Sequence, residues 1–147
     1  MSERIHATTV AIGEAGLLLR GAAGSGKSTL ALALIELARL RGGFARLVAD
    51  DRTEITAAHG RLLARPVAPL AGVIERRGLG LTPEPHLPAV VLRLIVDLAA
   101  EEPARMPEPE DLVAQLGGVA LPRLRLAGRP GQERLVLAAL ELFLERE

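Results

Sequence analysis

Lys27 is the single lysine in a chain whose other seventeen basic residues are arginines. It sits in Gly21-Ala22-Ala23-Gly24-Ser25-Gly26-Lys27-Ser28, which has the G-x-x-x-x-G-K-[ST] spacing of a P-loop. Glycines let the backbone turn with successive N–H groups facing inward, an arrangement that cradles anions. A helix entered at Lys27, Ser28 and Thr29 would add its free N–H groups and the positive end of its dipole. Lysine reaches a β- or γ-phosphate as a slim point charge, whereas a guanidinium is broad and planar. The Ser28 hydroxyl is a hard ligand suited to Mg²⁺. The chemistry predicted is binding of a nucleoside triphosphate with Mg²⁺ on residues 21–29.

The chain has four aspartates, and two of them, Asp50 and Asp51, are adjacent at the end of the apolar run FARLVAD. Phosphoryl-transfer enzymes of the P-loop class place an acidic residue at a neighbouring strand end to hold Mg²⁺. Adjacent strand residues point in different directions. One carboxylate could therefore serve the metal while the other takes a proton from a substrate hydroxyl. Without the glycine loop, the same pair would read as a solvated turn.

The elements that must position these groups follow from pattern. Residues 4–12 alternate and are β-branched, predicting a strand, with a turn at 13–16 and a short buried strand at 17–20. Residues 27–41 have helix chemistry, stopped by Gly42-Gly43. A strand at 44–50 follows, then a hairpin over 53–67 turning near His59-Gly60. Residues 71–81 read as a strand broken by glycines, and 82–88 as a loop. Residues 89–99 are apolar enough for a strand buried on both faces. The proline-rich, charged stretch 101–111 predicts an exposed loop. Residues 118–127 predict an edge strand, because Pro122 cannot donate to a central ladder. The chain closes in a helix with Pro130 near its start, expected to pack Leu135 and Leu142 inward. Strand, glycine loop, helix, strand opens an α/β domain, and the later hairpin predicts a mixed sheet.

The whole of 1–147 reads as one domain. Its core must come from Leu, Val, Ala and Ile, because there are two Phe and no Trp or Tyr. Eighteen basic and 18 acidic residues balance, which argues against a nucleic-acid binder needing a basic stripe. The absence of cysteine excludes disulfides and thiolate metal sites. Three scattered histidines have no zinc-ligand spacing. No apolar run approaches the ~18 residues of a membrane span, and the first residues lack a signal-peptide layout. The expected location is the cytoplasm, with no membrane association. With its one lysine used in the loop, the chain cannot carry the N-K-x-D guanine motif of small GTPases.

Three further stretches join the glycine loop in a fixed order: IHATTVAI before it, ADDR at 49–52, and ERRGLG at 75–80. In this order the chain resembles the bacterial HPr kinase/phosphorylase family, over almost its whole length from His6 to about Arg129, in the form of a catalytic domain alone. The resemblance implies a P-loop α/β kinase domain with a mixed sheet, like that of phosphoenolpyruvate carboxykinase. It implies an ATP- and Mg²⁺-dependent protein-serine kinase acting on the phosphocarrier HPr, reversal of that reaction by phosphorolysis, a role in regulating the phosphotransferase system and carbon metabolism, and a homo-oligomer, commonly a hexamer. It implies an active-site role for His6, phosphate binding by Lys27, and Asp51 as the base toward the serine. Ser28, Asp50 and Glu75 would hold Mg²⁺, with Arg77 shaping the same loop. Arg105 would stabilise charge on the transferring phosphate. The chain departs from the family at Ala7, where glycine is usual, and at Arg76, where an apolar residue is usual. The late P-V-x-x-G-R element is reduced to LRLAGR at 124–129. A small-molecule kinase and a nucleotide-sensing module without transfer activity stand as alternatives.

Overall fold

The computed structural model describes residues 2–99 and 101–145. In chain order its strands are β1 (Ser2–Ile5), β2 (Ala7–Ile12), β3 (Ala15–Arg20), β4 (Ala45–Ala49), β5 (Thr53–Ala58), β6 (Arg61–Pro66), β7 (Val73–Arg76), β8 (Gly80–Pro83), β9 (Val90–Leu98), β10 (Val113–Leu116) and β11 (Val119–Leu126). Helix α1 (Lys27–Leu40) follows β3, and α2 (Glu133–Glu145) closes the described chain. Arg146 and Glu147, the end of the helix expected from sequence, lie outside the described residues.

β1, β5, β6, β9, β3, β2 and β4 lie side by side in that order, with β11 also on β9 and β10 on β11. β3 and β11 run parallel to β9, and the other pairs are antiparallel. The fold is therefore α/β with a mixed sheet. The expected strand over 4–12 is broken at His6, where the chain changes partner: β1 pairs with β5, while β2 lies between β3 and β4. The β5–β6 hairpin turns through His59 (φ 54°) and Gly60 (φ 74°), the two positive-φ residues a tight hairpin loop requires. β8 extends through Thr82 and Pro83, which sequence assigned to a loop, because it pairs with β7 to form a separate two-stranded hairpin.

α1 buries Lys27, Leu30, Ala31, Leu34, Ile35 and Ala38, a single helical stripe. It stops at the two glycines: Gly43 N–H donates to Ala38 O at 2.9 Å, the six-to-one bond of a Schellman cap. The stripe packs on Leu17, Leu19, Leu94 and Val96 of the sheet and on Val136, Leu137 and Leu140 of α2. Leu135 and Leu142 are instead exposed. They fall seven residues apart, on the helix face opposite 136, 137 and 140, so the inward stripe is set by the neighbouring α1 and not by leucine content. The sheet's other face is closed by the sheet itself, as Ile55 and Leu62 pack with Ala7, Leu18, Val48 and Ile95. Strand β9 is accordingly buried on both sides.

β11 is not a simple edge. Residues 119–122 pair with β10, and residues 123–126 pair with β9. Pro122 falls at the switch between partners, where its missing N–H is tolerated. Arg76 donates to the buried Glu84 at 2.7 Å, and Arg39 of α1 reaches the same carboxylate at 3.4 Å. This pairing ties the β7–β8 hairpin to α1. Among the described residues, no helix is long and apolar enough to cross a membrane.

Candidate active site

An open cleft of about 410 Å³ forms where the 21–28 loop, the ends of β2 and β4, and the β7–β8 hairpin meet. His6, Ala23, Gly24, Gly26, Lys27, Ser28, Thr29, Asp50, Asp51 and Glu75 all line it. Arg77 joins them, and Leu70, Val73 and Leu81 form an apolar wall. Gly21, Ala22 and Ser25 belong to the loop but do not line the cleft.

Gly26, at φ 100°, starts α1 with no side-chain cap, so the first turn of the helix faces the cleft with its backbone donors. Lys27 is 6% exposed. Its Nζ donates to Gly21 O at 2.9 Å and Ala22 O at 3.2 Å. An ammonium has three donors, which leaves one for a group in the cleft.

Asp50 is held by three donors. Ser28 Oγ and Thr8 Oγ1 donate to Oδ1 at 2.6 and 3.0 Å, and the Glu75 backbone N–H donates to Oδ2 at 3.0 Å. Thr8 Oγ1 also accepts the Asp51 backbone N–H at 3.1 Å, so one hydroxyl orients both aspartates. Thr8 is fully buried; sequence reasoning passed over it because a threonine in a β-branched strand carries no chemical signal of its own. Asp51 has φ 67°, a left-handed conformation that aspartate tolerates better than most residues. The sharp turn sends its carboxylate away from that of Asp50, to a hydrogen bond with His6 Nε2. An ionised carboxylate is an acceptor only, so in that state His6 donates and one Asp51 oxygen remains open to the cleft.

The hydroxyl of Ser28 and the carboxylates of Asp50 and Glu75 are hard oxygen donors of the kind Mg²⁺ takes. Among the described residues there is no cluster of three or more His, Cys, Asp or Glu able to hold a metal by themselves. A donor set this small fits Mg²⁺, which keeps waters and substrate phosphates in its shell, and does not fit an all-protein cage. Arg105 is exposed on the 101–111 segment and does not line the cleft. The structure therefore brings His6, Lys27, Ser28, Asp50, Asp51 and Glu75 together and leaves Arg105 apart.

Sequence and structure comparisons bear on the family and the fold. The model of the HPr Serine kinase C-terminal domain matches residues 1–83, the stretch that carries every cleft residue named above. The chain is 30% identical over 156 aligned residues to the HPr kinase/phosphorylase of Geobacillus thermodenitrificans, covering 97% of this chain and 48% of that protein. It is 39% identical over 84 residues to the HPr kinase/phosphorylase of Clostridium tetani, covering 57% of this chain and 26% of that protein. The chain thus spans half or less of the length of these curated relatives. Its fold matches the Hpr(Ser) kinase/phosphatase of Coxiella burnetii with a TM-score of 0.73 at 24% identity, over 98% of this chain and 90% of that one. With more than half of its length matched by the family model, the chain belongs to the HPr serine kinase C-terminal domain family.

Proposed function

We propose that this chain is a P-loop catalytic domain that transfers the γ-phosphoryl group of ATP to a serine of HPr. The observation that carries the reading is the pairing of Asp51 with His6 at a cleft whose floor holds Lys27 and the Ser28–Asp50 pair. Lys27 would give its remaining donor to the triphosphate while the Gly21 and Ala22 carbonyls hold the other two. Ser28, Asp50 and Glu75 would hold Mg²⁺, which when bound neutralises charge on the phosphates. The open oxygen of Asp51 accepts the proton of the serine hydroxyl as the serine oxygen bonds to phosphorus and the bond to the ADP oxygen breaks. His6 holds the Asp51 carboxylate in place during that transfer. Arg105 enters only as the resemblance implies it, as a cation that joins the transferring phosphate. An Arg105→Ala protein with an unchanged rate would remove it from the scheme.

The reading is tested by mixing the pure protein with Mg-ATP and HPr from the same organism and weighing intact HPr. One added phosphoryl group is expected, absent with Lys27→Ala, with Asp51→Asn, and with an HPr lacking its target serine. Its loss on adding inorganic phosphate would demonstrate phosphorolysis. Transfer to a metabolite and none to HPr would select a small-molecule kinase. Nucleotide binding without transfer to any acceptor would select a sensing module.

A further inference from the structure

Asp97 lies near the end of β9, directly opposite Arg20 of β3 in the parallel register. Arg20 grips it with two bonds, Nε to Oδ1 at 2.7 Å and Nη2 to Oδ2 at 2.8 Å. Arg123 of β11 adds Nε to Oδ2 at 2.7 Å. One carboxylate therefore ties together the two strands that flank the end of β9. Burial raises the proton affinity of Asp97, but Arg20 and Arg123 outweigh it and hold the carboxyl below its usual range. The hydrogen bonds that Arg20 gives to Asp97 in turn raise Arg20 above its usual value.

Both tied strands lead to the 21–28 loop. Arg20 is followed by Gly21, whose carbonyl accepts the Lys27 ammonium. A Cβ at Gly21 would stand 3.0 Å from Leu98 O and 2.5 Å from Ser25 Oγ, so the loop entrance rests on the residue that follows Asp97. β11 leads to Gly128, where a Cβ would stand 2.7 Å from Ser25 O. Among the described residues, Ser25 Oγ is buried without a hydrogen-bond partner. Packing from the ends of β9 and β11, and not a polar anchor on that side chain, locates this part of the loop.

We infer that Asp97 is a positioning residue for triphosphate binding: by clamping Arg20 and Arg123 it fixes the ends of β3 and β11, and through them the seat of the 21–28 loop. The inference rests on the nucleotide reading above. A triad that served strand register alone would add stability and leave the affinity of the folded protein unchanged.

Full-length wild type, Asp97→Asn and Arg123→Gln are titrated calorimetrically with Mg-ATP and with inorganic tripolyphosphate, with folding checked by circular dichroism at the same temperature. Folded Asp97→Asn is expected to bind both probes about tenfold more weakly, the scale of one misplaced charge-assisted contact, and to show faster amide exchange at 21–28. Arg123→Gln keeps the Arg20–Asp97 pair and is expected to lose about threefold. Wild-type affinity in a folded Asp97→Asn overturns the inference. If that variant does not fold, wild-type affinity in Arg123→Gln overturns it. A wild type that binds neither probe fails differently: it removes the nucleotide reading, and this inference with it.

Discussion

Asp51 combines two features that can be separated experimentally. Its backbone is left-handed, and its carboxylate is hydrogen-bonded to His6. Asparagine tolerates the same backbone region, whereas alanine would add about 1–2 kcal/mol of strain. Asp51→Asn should therefore keep the wild-type melting temperature while removing the proposed base, lowering the proposed phosphotransfer rate by roughly 10²–10⁴-fold. A rate within a few fold of wild type would show that Asp51 takes no proton. Thr8 makes a complementary prediction. Its hydroxyl gives its proton to Asp50 and accepts from Asp51 N–H in a fully buried position. Thr8→Val preserves the shape and removes the acceptor of the part-buried Asp51 N–H, a cost of about 0.5–1.5 kcal/mol. Urea unfolding should show that loss together with weaker Mg²⁺-dependent nucleotide binding, whereas unchanged binding would confine Thr8 to a structural part.

Two elements make distinct contributions to stability. The joined ends of β3, β9 and β11 depend on Asp97, whose folded carboxyl is held below its ordinary value of 3.8. A depressed folded value means that the ion triad stabilises fully above the unfolded value and loses that contribution as pH falls through the folded one. Asp97 is 18% exposed, so Asp97→Asn should cost roughly 2 kcal/mol at neutral pH, below the ~3–5 of a fully buried pair. The gap between wild type and variant should close as pH falls below 3.8. A gap constant with pH would deny the charge any part. α2 contributes through packing. Leu137 is 6% exposed against α1 and Leu135 is 51% exposed. Leu137→Ala should destabilise by about 2–4 kcal/mol and Leu135→Ala by less than ~0.5 kcal/mol. Equal effects in thermal unfolding would mean that the helix does not dock by this face.

The whole molecule presents large apolar side chains to solvent: Leu79, Leu81 and Leu40 are 75%, 66% and 76% exposed, and Met106 is 86% exposed. Leu79 and Leu81 sit at the tip of the β7–β8 hairpin beside the cleft. Association of several copies, six by the resemblance, would cover such surface. Light scattering should give a mass several times 15.5 kDa, whereas a single-chain mass across micromolar concentrations would leave these leucines to another partner.

The loop spacing, the lone lysine, the adjacent aspartates and the glycine stop of α1 were legible in the sequence, because each is a local demand on backbone or charge that one residue type meets. The order of motifs pointed to the family for the same reason. Tertiary structure alone decided the rest. The bend at His6 appears only when β1 finds β5. The inward face of α2 is chosen by α1. Thr8 becomes an orienter of both aspartates only when β2 lies beside β4. Asp97 reads as one of two charged residues in an otherwise apolar strand until two arginines, 77 and 26 positions away, close on it. Local propensity acts over a few residues, whereas these placements are contacts between distant segments, and a single sequence carries no direct record of which segments meet.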